Sequence, residues 1–352
     1  MLYEKKAKRK RIFRKCMVIF FTVVVMVSMC SITAFAEDSL LDEVSDGETP
    51  WSWPLDGLYE SIRTLLFSMV QMFMSCAFGL LDNGMSYAQT ELGYSPANYG
   101  GNSGLGATIF AMVDRISESV ILPIATIVFT YIVIYEFITM VIDKNNFHDF
   151  DTSIFIRWIF KTAVGVYFLS NCSTIVNAFF DMGTTITNKL TGEINGGTGT
   201  WADVTAGFYD KINGFGIANL LGMLIPSFLI MIICLVVYVC IYVIVISRMC
   251  EIYLHLAVAP IPMATITNRE FGESGKNYLK TIFSFVLQAF FILLCIGLFK
   301  HLVTSLANTI GADGAEFSVI TPQMFQIVAF GVCMILLMFK SQSLAKALVG
   351  AH

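Results

Sequence analysis

Five stretches of the chain are long, apolar and almost free of charge. An α-helix rises 1.5 Å per residue, so each stretch can cross about 30 Å of hydrocarbon, most of them with some tilt. Because only helices satisfy their own backbone polar groups in lipid, we predict an all-α fold with five transmembrane helices. The stretches are Val120–Ile142, Ile154–Phe180, Ile217–Ile246, Thr281–Phe299 and Val319–Phe339.

Residues 1–36 have the pattern of a secretory signal peptide. Eight basic residues lie between Lys5 and Lys15, an apolar run follows from Met17, and Ala34-Phe35-Ala36 precedes Glu37. This order of basic, apolar and small residues predicts a cleavable signal peptide, which takes no part in the fold. An uncleaved signal anchor is the alternative.

The regions between the apolar stretches contain weaker helix signals. Residues 57–82 include an uncharged run with polar residues inside it, which can cross the membrane or lie flat in its interface. Residues 83–106 are rich in Gly, Asn, Ser and Tyr, so we predict a loop there. In the predicted loop 181–216, the stretch from Trp201 to Ile212 is amphipathic and predicts a short surface helix.

The distribution of Lys and Arg sets the expected orientation. With residues 57–82 peripheral and the mature N-terminus outside, nine basic residues lie in short inner segments and five in longer outer ones. The positive-inside rule favours this arrangement, with the N-terminus outside and the C-terminus inside. The predicted regions are a signal peptide (1–36), an extracellular region (37–119), a transmembrane hairpin (120–180), an extracellular loop (181–216) and a three-helix transmembrane region (217–346) with a cytoplasmic segment (247–280).

Composition supports the membrane assignment and limits the chemistry. The chain is 56% hydrophobic and 14% charged, whereas soluble domains carry about 25% charged residues. Without residues 1–36, which hold eight bases and one acid, the formal charge changes from −4 to −11. A mature chain this acidic offers no basic groove for a phosphate backbone. The nine Cys and four His show no metal-ligand spacing, so we expect no metal or cofactor.

Gly272-Glu-Ser-Gly-Lys276 resembles the core of a phosphate-binding P-loop. The full motif needs Gly at position 270 and Ser or Thr at position 277, where this chain has Glu270 and Asn277. It also lacks a preceding strand. Since no hydrolase motif is found elsewhere, we predict that the protein is not an enzyme.

One acidic and two basic residues lie inside the first two predicted spans. Glu136 lies about seven residues before the 143–153 turn, and Lys161 lies about seven residues after it. In an antiparallel hairpin they reach similar depth, so we predict that they form an ion pair, with Arg157 nearer the interface. The pair is either a polar seam along a translocation path or a clamp between helices.

A second polar segment follows the longest uncharged run. Arg248, Glu251 and His255 share one helix face at spacings i, i+3 and i+7. Pro260 and Pro262 then predict that the helix stops or bends at the inner membrane face. We interpret these five residues as a candidate docking or gating element. An interfacial ion pair followed by a simple helix end is the alternative.

Several segments together resemble a known family. They are Glu251-Ile-Tyr-Leu-His-Leu-Ala-Val-Ala-Pro-Ile-Pro-Met-Ala264, Asn268-Arg-Glu-Phe-Gly272, Asn277-Tyr-Leu-Lys-Thr-Ile-Phe and Gln288-Ala-Phe-Phe. The chain is similar to the TrbL/VirB-type polytopic channel subunits of conjugative type IV secretion systems, in the form carried by Gram-positive integrative conjugative elements. The topology of that family agrees with the orientation expected from the charges.

The resemblance implies a non-enzymatic channel or scaffold subunit in the cell membrane. It further implies a homo-oligomer, arranged as a ring, that works with conjugative ATPases and small membrane subunits. The cargo is then relaxase-bound single-stranded DNA. Two alternatives stay open: a membrane assembly component of another secretion or sporulation apparatus, and a small-solute transporter. A transporter would predict inverted repeats, and the sequence shows no internal repeat.

Overall fold

The part of the chain that the structure describes consists of helices joined by short turns and loops. This computed structural model describes residues 52–101, 104–143, 152–197, 201–310 and 317–351. The predicted signal peptide and the acidic tail as far as Trp51 lie outside the described residues. The helices are α1 (Ser52–Leu92), α2 (Leu105–Ile116), α3 (Leu122–Asp143), α4 (Thr152–Ser170), α5 (Cys172–Gly197), α6 (Trp201–Ile212), α7 (Ile217–Val258), α8 (Pro260–Thr265), α9 (Gly272–Ile310) and α10 (Phe317–Val349).

Five described helical stretches are long and apolar enough to cross a membrane: Gly57–Leu92, Gly106–Ile142, Ile217–Val258, Gly272–Leu306 and Ile320–Val349. The second contains a single π-helical segment, Ser117–Ile121, that joins α2 to α3 just before Pro123. Pro123 has no backbone N–H, so it cannot donate a hydrogen bond to the preceding turn. The π-helical turn, which contains one extra residue, lies where this interruption of the helical hydrogen bonds occurs. The all-α fold, with five candidate spans, and the multi-pass membrane assignment are confirmed, and the number of candidate spans rises to six if the bent pair Phe155–Ser170 and Cys172–Gly196 forms one span.

The five candidate spans include α1, which the sequence predicts to be peripheral. The predicted peripheral helix 57–82 is part of a longer helix that reaches Leu92, and it qualifies as a span by length and composition. Residues 83–92 are therefore helical, although a loop was expected there. The peripheral placement of 57–82 stays a prediction.

The predicted span Ile154–Phe180 is not one straight helix. It breaks at Asn171 into α4 and α5, which are bent by 67°. The Asn171 side chain donates to the Tyr167 carbonyl at 3.0 Å, the same carbonyl that accepts from the Asn171 backbone amide. Such local side-chain bonding competes with the helical ladder. Ser173 Oγ also donates to Asp114 Oδ1 at 2.9 Å, which ties the start of α5 to α2.

The region predicted as the loop 181–216 is mostly helical. Helix α5 continues to Gly197, so the polar residues that suggested a loop lie on a helix. The short helix predicted from Trp201 to Ile212 is confirmed as α6. Its side chains at Val204, Phe208 and Ile212 are buried, which places its apolar face in packing rather than on a surface. Residues 198–200 of the predicted loop lie outside the described residues.

The chain divides into two compact units. The first comprises Met1–Phe78, Ala202–Ile233 and Ser305–Ala329, and the second comprises Gly79–Trp201, Cys234–Thr304 and Phe330–His352. Within the first unit, the Arg63 guanidinium donates to the Phe215 carbonyl at 3.1 Å, and the Phe73 and Phe228 rings meet edge to face at 5.5 Å. Both contacts join α1 to the start of α7 or to the turn before it.

The second unit contains every sequence-predicted site residue. There α1 and α7 run parallel, because Gly84 lies against Tyr238 and Ile241 while Tyr87 stacks on Tyr242 with ring centroids 3.9 Å apart. Helix α9 runs antiparallel to α7, since Arg248 contacts Phe285 and His255 contacts Tyr278. The long helices of this unit therefore pack along their lengths.

Candidate functional site

The two prolines start a short helix that packs into the α3–α4 hairpin. Ala264 of α8 shares a buried core with Ala125 and Phe129 of α3 and Leu169 of α4. The close approach depends on glycine: a Cβ at Gly165 would lie 2.5 Å from the Phe129 ring. Helix α8 is thus held between α3 and α4.

The backbone at the prolines differs from the expected extended conformation. Helix α7 ends at Val258, as the prolines predict, but Ala259 keeps right-handed helical angles (φ −48°, ψ −41°) and Ile261 lies within α8. Proline at the first helical position has no amide to leave unpaired and a suitable φ. Burial of Pro260 and Met263 adds packing that outweighs the local bias against helix before proline.

Glu136, Lys161 and Asn268 form a polar group at the hairpin, which we term the hairpin cluster. Lys161 Nζ is paired with Glu136 Oε1, and Asn268 Nδ2 donates to Glu136 Oε2 at 3.4 Å. The Glu136 and Lys161 side chains retain 28% and 33% exposure, so the protein covers the pair only in part. An open cleft of about 340 Å³ borders it, lined in part by Tyr135 and Thr139. Arg157 is exposed nearby on α4.

Asn268 joins the ion pair to the turn between α8 and α9. Its Oδ1 accepts from the backbone amides of Glu270 at 2.7 Å and Phe271 at 3.0 Å. Sequence reasoning missed this residue, although an Asn two residues before an acidic turn is a typical turn signal. Asn268 brings together two predicted groups, the charged hairpin and the proline segment.

Gly275 gives a second close approach at the same turn. A Cβ there would lie 2.6 Å from the Pro262 carbonyl oxygen, and its amide donates to Thr265 Oγ1 at 3.1 Å. This glycine belongs to the failed P-loop pattern. Its structural task is to let α9 start directly against α8.

Arg248 is buried in the second unit, with 5% of its surface exposed. Its Nη2 donates to the Phe285 carbonyl at 3.2 Å, and its Nε reaches the same oxygen at 3.4 Å. Among the described residues no carboxylate lies within 4.0 Å of it, so it forms no ion pair with Glu251 there. Its Nη1 also lies 3.8 Å from the weak acceptor Met249 Sδ, but a guanidinium carries five N–H donors, and these two acceptors cannot satisfy them.

The side chain of Arg248 borders a cavity of about 100 Å³ between α7, α9 and α10, which we term the Arg248 pocket. Gln342 Nε2 donates to Glu251 Oε2 at its rim. Gln288 is 5% exposed, and its Oε1 has no hydrogen-bond partner among the described residues. The pocket is lined by Val243, Ile244, Ser247, Arg248, Glu251, Gln288, Met338, Phe339 and Gln342.

The five residues of the predicted docking element face packed helices. Arg248 and Pro260 are buried, while Glu251, His255 and Pro262 are half-buried. The His255 ring meets the Phe285 ring edge to face at 5.0 Å, and its Nδ1 lies 2.8 Å from the Glu251 carbonyl. The exposed polar residues after the prolines include Arg269 and Glu270 of the following turn, whereas the exposed residues Cys250, Leu254 and Val258 of α7 are apolar.

No group of three potential metal ligands comes together within the described ranges. A protein-family model described as TrbL/VirB6 plasmid conjugal transfer like protein matches residues 81–260, just over half of the 352-residue chain. No curated protein and no solved structure matches the chain.

Proposed function

The chain belongs to the TrbL/VirB6 plasmid conjugal transfer-like family, and on that premise we propose that it is a non-enzymatic channel or scaffold subunit that helps to move relaxase-bound single-stranded DNA across the cell membrane. Membership makes it a multi-pass membrane component of a conjugal transfer system, which works with other subunits. The family match over residues 81–260 is the observation that carries the proposal.

The arrangement of charge supports a scaffold more than a surface that grips DNA. In the hairpin cluster, the positive charge of Lys161 is paired with Glu136. Arg248 is buried and donates to the Phe285 carbonyl. Neither offers the row of exposed cations that phosphate backbones require. In our proposal the conduit comes from several copies of the chain arranged in a ring with partner subunits.

The proposed contact with a cytoplasmic ATPase uses the turn after the docking element. Because Arg248 and Pro260 are buried, the proline segment supports this contact from behind. Arg269, Glu270 and Phe271 are exposed and rest on the Asn268 turn. Pro260→Ala combined with Pro262→Ala should weaken the support, and Arg269→Glu should weaken the contact itself.

The experiment is an in-frame deletion of the gene from its conjugative element, followed by mating. We expect loss of transfer and recovery by the wild-type chain supplied in trans. Transfer at the wild-type frequency in the deletion strain would exclude the proposed function.

Crosslinking separates a conduit from a scaffold. Formaldehyde treatment of mating donors, followed by capture of the tagged chain, should recover the transferred strand when the conjugative ATPases are active and lose it when they are inactive. Lost transfer without any captured strand would leave the scaffold role and exclude the DNA path through this subunit.

A further inference from the structure

The Arg248 pocket combines three groups whose hydrogen-bonding needs are unmet or partly met. Arg248 has donors without an anionic acceptor, and Gln288 Oε1 is a buried acceptor without a donor. Glu251 is an anion whose described partner is the neutral Gln342 amide. Buried polar groups in this state are costly, so a ligand that satisfies all three would be favoured.

The required ligand carries an anion next to hydrogen-bond donors. An anion would pair with the Arg248 guanidinium, and donors attached to it would serve Gln288 and Glu251. A cavity of about 100 Å³ has room for several water molecules or one compact polar group. A simple anion would meet Glu251 with like charge, so a bare phosphate or sulfate fits less well than a group with both features.

The pocket lies where two helices leave their uncharged stretches. The run on α7 is uncharged from Ile217 to Ser247 and ends at Arg248, and the run on α10 is uncharged from Phe317 to Phe339 and ends at Lys340. Charges that end apolar runs mark the depth of lipid headgroups. Exposed apolar side chains continue away from the pocket along α7, where acyl chains could lie. They are Val236, Val239, Val243 and Ile246.

We propose that the Arg248 pocket binds the headgroup of a phospholipid whose phosphodiester carries hydrogen-bond donors, as phosphatidylglycerol does. The phosphate pairs with Arg248, and the headgroup hydroxyls donate to Gln288 Oε1 and Glu251. Pockets with basic residues between membrane helices are suited to such headgroups. This site is independent of the proposed role in DNA transfer.

The test uses the full chain purified in detergent, titrated with phosphatidylglycerol or phosphatidylcholine while thermal unfolding is followed. Both lipids have the phosphate, but phosphatidylcholine has no headgroup donor. We expect phosphatidylglycerol to raise the unfolding midpoint and to bind at least about tenfold more tightly. Equal effects of the two lipids would overturn the proposal.

Matched variants locate the effect. Arg248→Met should abolish the response to phosphatidylglycerol, whereas Arg269→Met, which removes an exposed cation, should keep it. Should Arg248→Met fail to fold, Ser247→Leu fills the pocket and should abolish the response in its place. A response retained in the pocket variants would overturn the proposal. A matching response to glycerol phosphate would show a soluble anion site and exclude a lipid.

A separate observation concerns the loop between α1 and α2. Tyr253 Oη donates to the Pro96 carbonyl at 2.7 Å, and the Tyr87 and Tyr99 hydroxyls lie 3.1 Å apart. Burial raises the pKa of the Tyr99 phenol and the Tyr87 hydroxyl adds to the effect, so the phenol stays protonated. A Cβ at Gly106 would lie 2.3 Å from the Tyr99 carbonyl oxygen, which fixes the loop closely.

We infer that the loop Tyr94–Gly101 lies on the membrane side where α7 ends, and that α1 crosses the membrane in the same direction as α7. Tyr253 is five residues from the end of α7, and the two helices are parallel within this unit. The sequence prediction placed residues 37–119 outside. Residues 93–104 contain no charged residue, so the positive-inside rule carries no information on this loop.

Single cysteines in a cysteine-free chain test this topology. Asn98→Cys should react with a membrane-impermeant maleimide on the same side as Ser274→Cys, and on the opposite side from Asn213→Cys. If Cys at position 98 is unreactive even in permeabilised cells, a protease site inserted after Gly101 gives the same decision. The inference would be overturned if position 98 reacted, or the inserted site were cleaved, from the same side of the membrane as position 213.

Discussion

The hairpin cluster and the Arg248 pocket hold charge among apolar helices in two different ways. In the hairpin cluster, Lys161 is paired with Glu136 and an amide completes the group. In the Arg248 pocket, the guanidinium donates to a backbone carbonyl, and a cavity lies beside it. The first arrangement is complete within the chain, whereas the second has unused hydrogen-bonding capacity.

The hairpin cluster borders an open cleft of about 340 Å³, and the close packing in its neighbourhood lies at the glycines beside it. Gly165 of α4 lies so close to the Phe129 ring of α3, and Gly275 of α9 so close to the Pro262 carbonyl of α8, that a methyl group would not fit at either glycine. Beside Arg248 the helices leave about 100 Å³ unfilled. The comparison teaches that α8 and its prolines have a structural task, while the free capacity for a ligand lies roughly three turns earlier, on α7.

The largest expected difference in stability comes from larger side chains at Gly275, beside α8, and at Ser247, beside the Arg248 pocket. Gly275→Val should destabilise the protein by roughly 3 kcal/mol, because the Pro262 carbonyl cannot move away from the new side chain. Ser247→Val adds its methyl groups beside a cavity and should change stability by less than about 0.5 kcal/mol. Unfolding in mixed micelles measures both. Gly192→Ala, at an exposed helical glycine with open space around it, is the control and should be neutral or stabilising.

The next largest difference in stability is expected between variants that remove the cation of the hairpin cluster and the cation of the Arg248 pocket. Lys161→Met leaves Glu136 without its cation, and we expect a loss of about 1–2 kcal/mol, reduced by the partial exposure of the pair. Arg248→Met leaves no carboxylate unpaired among its described contacts and should cost less. A double-mutant cycle of Lys161→Met with Glu136→Gln should give a coupling of about 1 kcal/mol. Coupling near zero would mean that the ion pair contributes nothing.

A smaller effect is expected at the turn that joins the hairpin to α9. Asn268→Ala removes two accepted hydrogen bonds from backbone amides and should destabilise the protein by about 1 kcal/mol. Asn277→Ala, on the first turns of α9, is the matched control. If both changes shifted the unfolding midpoint equally, the turn would have no special role.

The smallest effect should have the opposite sign. Gln288→Met replaces a buried amide whose oxygen has no partner, so in lipid-free detergent it should stabilise the protein by up to about 1 kcal/mol. A clear loss of stability would show that the amide is already satisfied. Gln342→Met is the comparison, since that amide donates to Glu251 and its removal should destabilise.

Much of the fold could be predicted from hydropathy alone. Uncharged runs of twenty or more residues allow little except membrane helices, and the apolar spacing from Trp201 to Ile212 predicts α6 with its bounds. The placement of Glu136 and Lys161 on either side of one turn indicates a shared depth, and the structure has them in contact. In each case the structure follows from a local sequence pattern and from the free-energy cost of placing polar or charged groups in lipid.

The remaining features depend on contacts between distant segments. Arg248 and Glu251 have ion-pair spacing on one helix, yet the guanidinium bonds to the Phe285 carbonyl because α9 packs there. The helical backbone at Ala259 likewise depends on tertiary packing, because Pro260 and Met263 are buried.

The sequence by itself determined that this chain is a multi-pass helical membrane protein with a proline-ended polar segment, because burying apolar surface and backbone polar groups in lipid leaves no other arrangement. The tertiary structure decided which polar groups meet. It placed Asn268 on the ion pair, closed α8 between two helices, and left Arg248 with Gln288 beside a cavity. Helical periodicity fixes the face that a residue occupies, but the partner it meets there depends on how distant helices pack.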